Sequence, residues 1–193
     1  MAKELSGALW VSRFPGSSST NDLQGTFRAS VDNFLRALGN ARARGSISAT
    51  YRPPARAYLM HWSWLIAHEI VQAKNVPAME GVDIEWVHPT EQASLEAAQA
   101  MVTAYGMNNL NVAPALSSNH TRGTAINMNI SWSGTLTIAG SNGQNVAINT
   151  LPQTGMNAQL QAVSLGYGVR KFVGGNTDIP HWSIDGHGTV ANS

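Results

Sequence analysis

The 193-residue sequence contains no cysteine, which excludes disulfides and cysteine-based zinc sites and leaves its six histidines as the main soft metal ligands. Charge is also scarce, at 12% of the residues with a formal net charge of +1. No cluster of Lys and Arg with interleaved aromatics occurs, because Arg42 and Arg44 form an isolated pair beside Gly45. These absences argue against nucleic acid as a partner.

Long hydrophobic runs are missing as well. No stretch has the length of apolar residues that crosses a bilayer, and residues 1–10 lack the apolar run of a secretory signal. We therefore expect no membrane span and synthesis in the cytoplasm without a signal peptide. The hydrophobic content of 43% is enough to bury a full core. The simplest organisation is an N-terminal arm or loop over residues 1–22 and a single domain over residues 23–193.

Apolar residues recur at helical spacing in the first half of the chain and alternate in the second half. The helical spacing predicts helices over 27–38, from 53 towards 74, over 90–106 and over 156–165. The alternation predicts strands over 47–51, 82–86, Ala125–Ser131 and 169–173, and a hairpin joining 135–138 to 145–148. This order favours an α+β fold with an antiparallel sheet.

Two segments combine histidine with oxygen ligands. Residues 118–127 read S-x-H-x-x-G-x-A-x-N, and residues 178–182 read D-x-x-H-W. A catalytic zinc site takes three protein ligands and leaves a fourth position open for water. Gly123 allows a sharp turn after His120, and strand alternation then points Asn127 back towards His120. His181 completes a candidate set of metal ligands.

Together with S-A-T-Y-R-P-P at 48–54, the two segments resemble the zinc D-Ala-D-Ala carboxypeptidases and dipeptidases and the related L-alanyl-D-glutamate endolysins. That resemblance implies a DD-peptidase fold, shared with Hedgehog signalling domains, in which helices pack on a small antiparallel sheet. It also implies zinc held by His120, Asn127 and His181. Asp178 would be the general base, and Arg52 would bind the carbonyl oxygen as it becomes an oxyanion.

The sequence departs from this family at two of these positions. Asn127 stands where the family has Asp, and Asp178 stands where it usually has Glu. With two neutral imidazoles, an amide leaves a divalent site at net +2, whereas a carboxylate leaves it at +1. No acid occurs between Glu96 and Asp178, so the missing charge has to come from Asp178, Asp185 or the first half of the chain. Three explanations fit this pattern. The protein is an inactive variant, a working enzyme with a weakened metal site, or a protein that keeps the fold for binding alone.

The resemblance implies a peptidoglycan peptidase that hydrolyses an amide bond of the stem peptide or cross-link through a metal-activated water. The alternative is a non-catalytic cell-wall-binding or structural module that retains the peptidase fold. A hydrolase of some other peptide with a D-residue is a third possibility. Without a signal, we expect delivery to the periplasm or cell wall by lysis or dedicated secretion, which indicates a phage, prophage or toxin context.

Each site residue also has a purely structural interpretation. His120 would then pin a loop, His181 would be a core histidine beside Trp182, and Arg52 would pair with a surface carboxylate. His187, in Asp185-Gly186-His187-Gly188, is either a spare ligand or a turn histidine anchored by its neighbours.

Overall fold

The computed structural model describes residues 3–189. Its helices are α1 (Gly25–Asn40), α2 (Pro54–Ala67), α3 (Glu91–Ala104) and α4 (Ala158–Gly166). Its strands are β1 (Glu4–Leu5), β2 (Arg44–Ala49), β3 (Ile84–Glu85), β4 (Ala125–Ser131), β5 (Leu136–Ala139), β6 (Asn145–Ile148), β7 (Arg170–Lys171) and β8 (His181–Ser183). The predicted α+β class is confirmed. Across the described residues, no helix combines the length and apolar character needed to cross a membrane.

The chain divides into two compact units. The first combines the residues up to Gly16 with Pro53–Ser117, and the second combines Ser17–Arg52 with the chain from Ser118 onwards. All of the predicted site residues belong to the second unit. The division of the sequence at residue 22 into an arm and a single domain stays a prediction.

The first unit is built on helices α2 and α3, with Trp10 buried in its hydrophobic cluster. Strand β1 pairs in parallel with β3, so the opening segment contributes to this unit. The prediction that α2 continues towards residue 74 is wrong. The helix ends at Ala67, and Glu69 takes a left-handed conformation with φ 56°, which a helix cannot propagate. At α3 the predicted cap is confirmed, since the Thr90 hydroxyl accepts the Ala93 N–H at 3.1 Å.

The second unit has a four-stranded sheet in the order β2-β4-β8-β7, and every neighbouring pair is antiparallel. One face of β4 supplies Ile126, Met128 and Ile130 to the core, as the alternation predicts. Helices α1 and α4 contribute to the same core, which also contains Trp182 of β8. The opposite face of β4 is thereby left free for polar side chains.

Several predicted boundaries needed correction in this unit. The strand expected over 47–51 is β2, which spans Arg44–Ala49. The strand expected over 169–173 is β7, which is limited to Arg170–Lys171. The predicted hairpin is confirmed as β5 paired antiparallel with β6. Strand ends depend on which residues find a partner in the sheet, and that pairing is not visible in local alternation.

Candidate metal centre

The sheet register places two of the predicted ligands side by side. Asn127 of β4 and His181 of β8 are direct partners across an antiparallel pair, next to the pair of Ile126 and Trp182. Because successive side chains point to opposite faces, the apolar pair enters the core while Asn127 and His181 share the other face.

His120 reaches this face from the loop before β4. Its backbone carbonyl accepts the N–H of Gly123 at 3.2 Å, and Gly123 has φ 69°, a conformation that favours glycine. The turn brings Nε2 of His120 to 3.0 Å from Oδ1 of Asn127. The rings of His120 and His181 meet edge to face with centroids 5.1 Å apart. The structure thus brings together all three residues predicted to bind metal.

The hydrogen bonds of His120 assign its tautomer. Its Nδ1 lies 3.0 Å from the carbonyl oxygen of Thr50, which can only accept, so Nδ1 carries the proton. In a neutral ring Nε2 then has a lone pair, and that lone pair faces the Asn127 oxygen, another acceptor. Two arrangements resolve this conflict: a cation bound by both atoms, or a turn of the amide that presents its NH2 group to Nε2. Backbone carbonyls commonly orient metal-binding histidines in this way.

His181 has the same arrangement with its nitrogens exchanged. Its Nε2 lies 3.0 Å from the carbonyl oxygen of His187, so Nε2 carries the proton and Nδ1 the lone pair. Oδ2 of Asp178 lies 3.7 Å from Nδ1, which is too long for a hydrogen bond. Asp178 ends the 3-10 turn Gly175–Asp178 and keeps 42% of its side chain exposed. The predicted base therefore lies beside the predicted ligands.

Burial favours the neutral form of both rings, which is the form that a metal ion requires. It is the largest cause that lowers the pKa of His120, and the charges of His181 and Arg52 lower it further, against the hydrogen bond to Thr50. Burial also lowers the pKa of His181, assisted by the nearby charge of Lys171 and opposed by Asp178. A neutral imidazole offers its lone pair without first losing a proton.

A polar network that the sequence did not reveal holds the His187 carbonyl in place. This oxygen accepts from Nδ2 of Asn119 at 2.7 Å and from Oγ of Ser183 at 3.0 Å, in addition to His181. Asn119 is only 2% exposed, so its amide is committed to these partners. The position of Asn119 next to His120 was the only sequence signal available. These contacts fix the orientation of the His181 ring.

Asp185 belongs to the same network. Its Oδ1 accepts from Asn119 at 2.8 Å and from the His187 N–H at 2.9 Å. It also lies 3.1 Å from Oγ of Ser183, whose single proton it shares with the His187 carbonyl. Although burial opposes it, these hydrogen bonds lower the pKa of Asp185. Asp185 is therefore a structural anion that holds the loop after β8.

Lys171, like Asn119, lies near the candidate site, but its spacing in the sequence did not indicate this. Its Nζ donates to the backbone carbonyls of Ile179 and His181, the latter at 3.1 Å, and lies 4.8 Å from the ring centroid of Trp182. Burial lowers the pKa of Lys171 to about 8, against the attraction of Asp178. Its side chain ties the segment that carries Asp178 to strand β8.

Arg52 lies beside His120, as the sequence led us to expect. Its backbone N–H donates to the His120 carbonyl at 3.1 Å, and its charge contributes to the lowered pKa of that histidine. A guanidinium is always charged and presents several donors in one plane, which suits a developing oxyanion. Its role in binding such an oxygen stays a prediction.

The donor set fits a divalent metal ion. Within residues 3–189, no three His, Asp or Glu side chains are grouped closely enough to hold a metal by themselves. The third donor is instead the Asn127 amide, a neutral oxygen that binds zinc more weakly than a carboxylate does. The two oriented imidazole lone pairs suit zinc, and zinc stays a prediction.

Comparisons with known proteins found no matching family model and no significant match to a curated protein.

Proposed function

We propose that this protein is a metal-dependent peptidase that hydrolyses an amide bond in the peptides of bacterial peptidoglycan. The observation that supports the proposal is the close grouping of the candidate residues: the rings of His120 and His181 have centroids 5.1 Å apart, and Nε2 of His120 lies 3.0 Å from Oδ1 of Asn127. Oδ2 of Asp178 lies 3.7 Å from Nδ1 of His181. Each of the three sequence motifs that resemble the zinc cell-wall peptidases contributes a residue near His120, which supports the proposal.

The side chains have distinct tasks in the proposed reaction. His120, His181 and Asn127 hold the metal, which supplies Lewis-acid chemistry when bound. Arg52 stabilises the negative charge that develops on the substrate carbonyl oxygen. Asp178 accepts a proton from the attacking water as the new C–O bond forms. It returns that proton to the leaving nitrogen as the C–N bond breaks.

The test is to incubate the zinc-loaded protein with purified peptidoglycan fragments and to measure new amino and carboxyl termini by mass spectrometry. We expect cleavage that stops with a chelator and is absent in His181→Ala. Because His187 contributes its backbone carbonyl and has an exposed side chain, His187→Ala is a matched control that should retain cleavage. Cleavage that survives both metal removal and His181→Ala would refute the proposal.

One observation favours a second candidate, a wall-binding module without catalysis. Unlike a carboxylate, an amide at position 127 can turn its NH2 group towards Nε2 of His120 and satisfy the ring without a metal. Such a module should sediment with peptidoglycan but release no termini, even in excess zinc. Asn127→Asp separates the candidates, because the added anion switches on or raises hydrolysis only where the remaining machinery works.

A further inference from the structure

Four exposed polar side chains share the face of the four-stranded sheet that carries Asn127. We call them the polar strip: Arg44 and Ser46 of β2, and Asn129 and Ser131 of β4. The register pairs the two β2 members directly with the two β4 members. Strand alternation places all four opposite Ile47 and Met128, which pack with the core. The polar strip therefore runs along the strands from Asn127 towards the start of β2.

The polar strip is suited to the backbone of an extended peptide. Serine hydroxyls and asparagine amides each donate and accept hydrogen bonds, as peptide groups do. Within residues 3–189, none of the four side chains forms a hydrogen bond or an ion pair with the protein. Their donors and acceptors are therefore available to a ligand that lies along this face.

Arg44 gives the polar strip a preference for an anionic ligand. A guanidinium presents several donors in one plane and matches a carboxylate through two parallel hydrogen bonds. The charge of the second unit supports this preference, since it has eight Lys and Arg against four Asp and Glu, which is net +4. The first unit has four Lys and Arg against seven Asp and Glu. The formal charge of +1 for the whole chain conceals this division.

The strand register sets the spacing between Arg44 and the candidate metal centre. Residues of a strand rise about 3.3 Å each, so Ser131, the partner of Arg44, lies about 13 Å along β4 from Asn127. An extended peptide covers such a distance with about three or four residues. A carboxylate that contacts Arg44 is therefore about that many residues from an amide bond held beside Asn127.

We propose that the polar strip binds the acidic stem peptide of peptidoglycan in an extended conformation, with Arg44 contacting one free carboxylate of that peptide. This inference rests on the proposed function and deepens it, because it names the feature of the substrate that fixes its position. Arg44 is then a specificity residue that is remote from the reacting atoms. A stem peptide whose carboxylate is amidated offers the guanidinium no charged partner and binds more weakly.

The test measures the binding of labelled synthetic stem peptides to the full chain by fluorescence anisotropy. Each peptide has one free carboxylate at a different position and amides elsewhere, and one peptide is fully amidated. Arg44→Gln should weaken the binding of the peptide with the correctly placed carboxylate by about three- to tenfold and leave the amidated peptide unaffected. Arg44→Lys keeps the charge without the planar donors and should give an intermediate loss.

Arg36→Gln is the matched control. Arg36 is an exposed residue of α1 in the same unit, so its loss changes the net charge of that unit equally. This variant should bind every peptide as the parent protein does. An equal loss in Arg44→Gln and Arg36→Gln, or the same loss with the amidated peptide, would overturn the inference.

Mass spectrometry of the same samples reports cleavage, so the two proposals fail separately. Binding that depends on Arg44 and on one carboxylate, without cleavage, would refute only the proposed function. Cleavage with affinities that Arg44→Gln leaves unchanged would overturn only this inference, as would a parent protein that binds none of the peptides. Arg44→Gln that increases self-association without weakening binding would also overturn it, because β2 is an edge strand and cationic side chains there prevent pairing with another chain.

Discussion

The rings of His120 and His181 lie edge to face, with centroids 5.1 Å apart and 78° between their planes. A backbone carbonyl accepts the N–H of each ring, so the two remaining lone pairs are held in fixed directions. Folding therefore orients both rings, and no further free energy is needed to orient them when a metal ion binds. The two lone pairs are a preorganised pair of donors.

Zinc should stabilise the folded protein. A ligand that binds only the native state at about a hundred times its Kd adds about 2.7 kcal/mol to the free energy of unfolding. Thermal unfolding with and without zinc should show a rise in Tm for the parent protein. The rise should be lost in His120→Ala and retained in His187→Ala. An equal rise in all three proteins would contradict the site.

Asn127→Asp should raise the pKa of His120 in the metal-free protein. The new carboxylate would lie about 3.0 Å from Nε2, and a neighbouring negative charge favours the protonated imidazolium. The change acts against the burial that lowers the pKa of this histidine. Titration of the ring by NMR measures it directly. A pKa that stays the same or falls would mean that residue 127 does not face the ring.

The metal-free protein should lose stability below about pH 6.5. Burial holds the folded-state pKa values of His120 and His181 below the ordinary histidine value of 6.5, so the unfolded chain binds more protons in this range. Their contribution is fully present above that value and declines as the pH falls towards the folded-state pKa. Each ring contributes a slope of at most about 1.4 kcal/mol per pH unit. Urea unfolding between about pH 7.5 and about pH 5 tests this, and a flat profile would contradict it.

Asn119→Ala should destabilise the second unit by about 1–3 kcal/mol, because the Asn119 side chain is only 2% exposed and its hydrogen bond to the His187 carbonyl, at 2.7 Å, is lost. The free energy of unfolding in urea measures this loss. Asn129→Ala is the matched control on exposed strand β4 surface and should change stability little. Zinc affinity should also fall in Asn119→Ala, because the partner of the His181 ring is no longer held. Equal effects in the two variants would contradict the proposed network.

Gly123→Ala should cost more stability than Gly134→Ala. Both glycines have similar φ values, 69° and 71°, where a side chain costs about 1–2 kcal/mol. A Cβ at residue 123 would also lie 2.7 Å from Cγ of Gln24 and 3.0 Å from the Asp22 carbonyl, whereas one at residue 134 meets nothing within 4 Å. The difference between the two free energies of unfolding isolates this close approach. No difference would mean that the turn after His120 has room to shift.

The sequence predicted the local features of the site well. The alternation over β4 correctly separated Ile126, Met128 and Ile130 from Asn127, because side-chain direction in a strand follows directly from chain order. The Thr90 cap and the hairpin of β5 and β6 also follow from short-range chemistry. The end of α2 was missed because an apolar spacing continues past Ala67 while the backbone turns at Glu69.

The amino-acid sequence alone determined the candidate ligands, the α+β class and the amide side chain at residue 127, since these depend on residue identity and near-neighbour spacing. Only the tertiary structure decided which nitrogen of each ring is free, that Asp185 is occupied elsewhere and that Asp178 faces His181. The physical reason is that every residue has a backbone carbonyl, so the sequence does not show that the carbonyls of Thr50 and His187 are the ones that accept from the two rings. Their identity emerges only when the strand register and the loops place particular backbone atoms against particular rings.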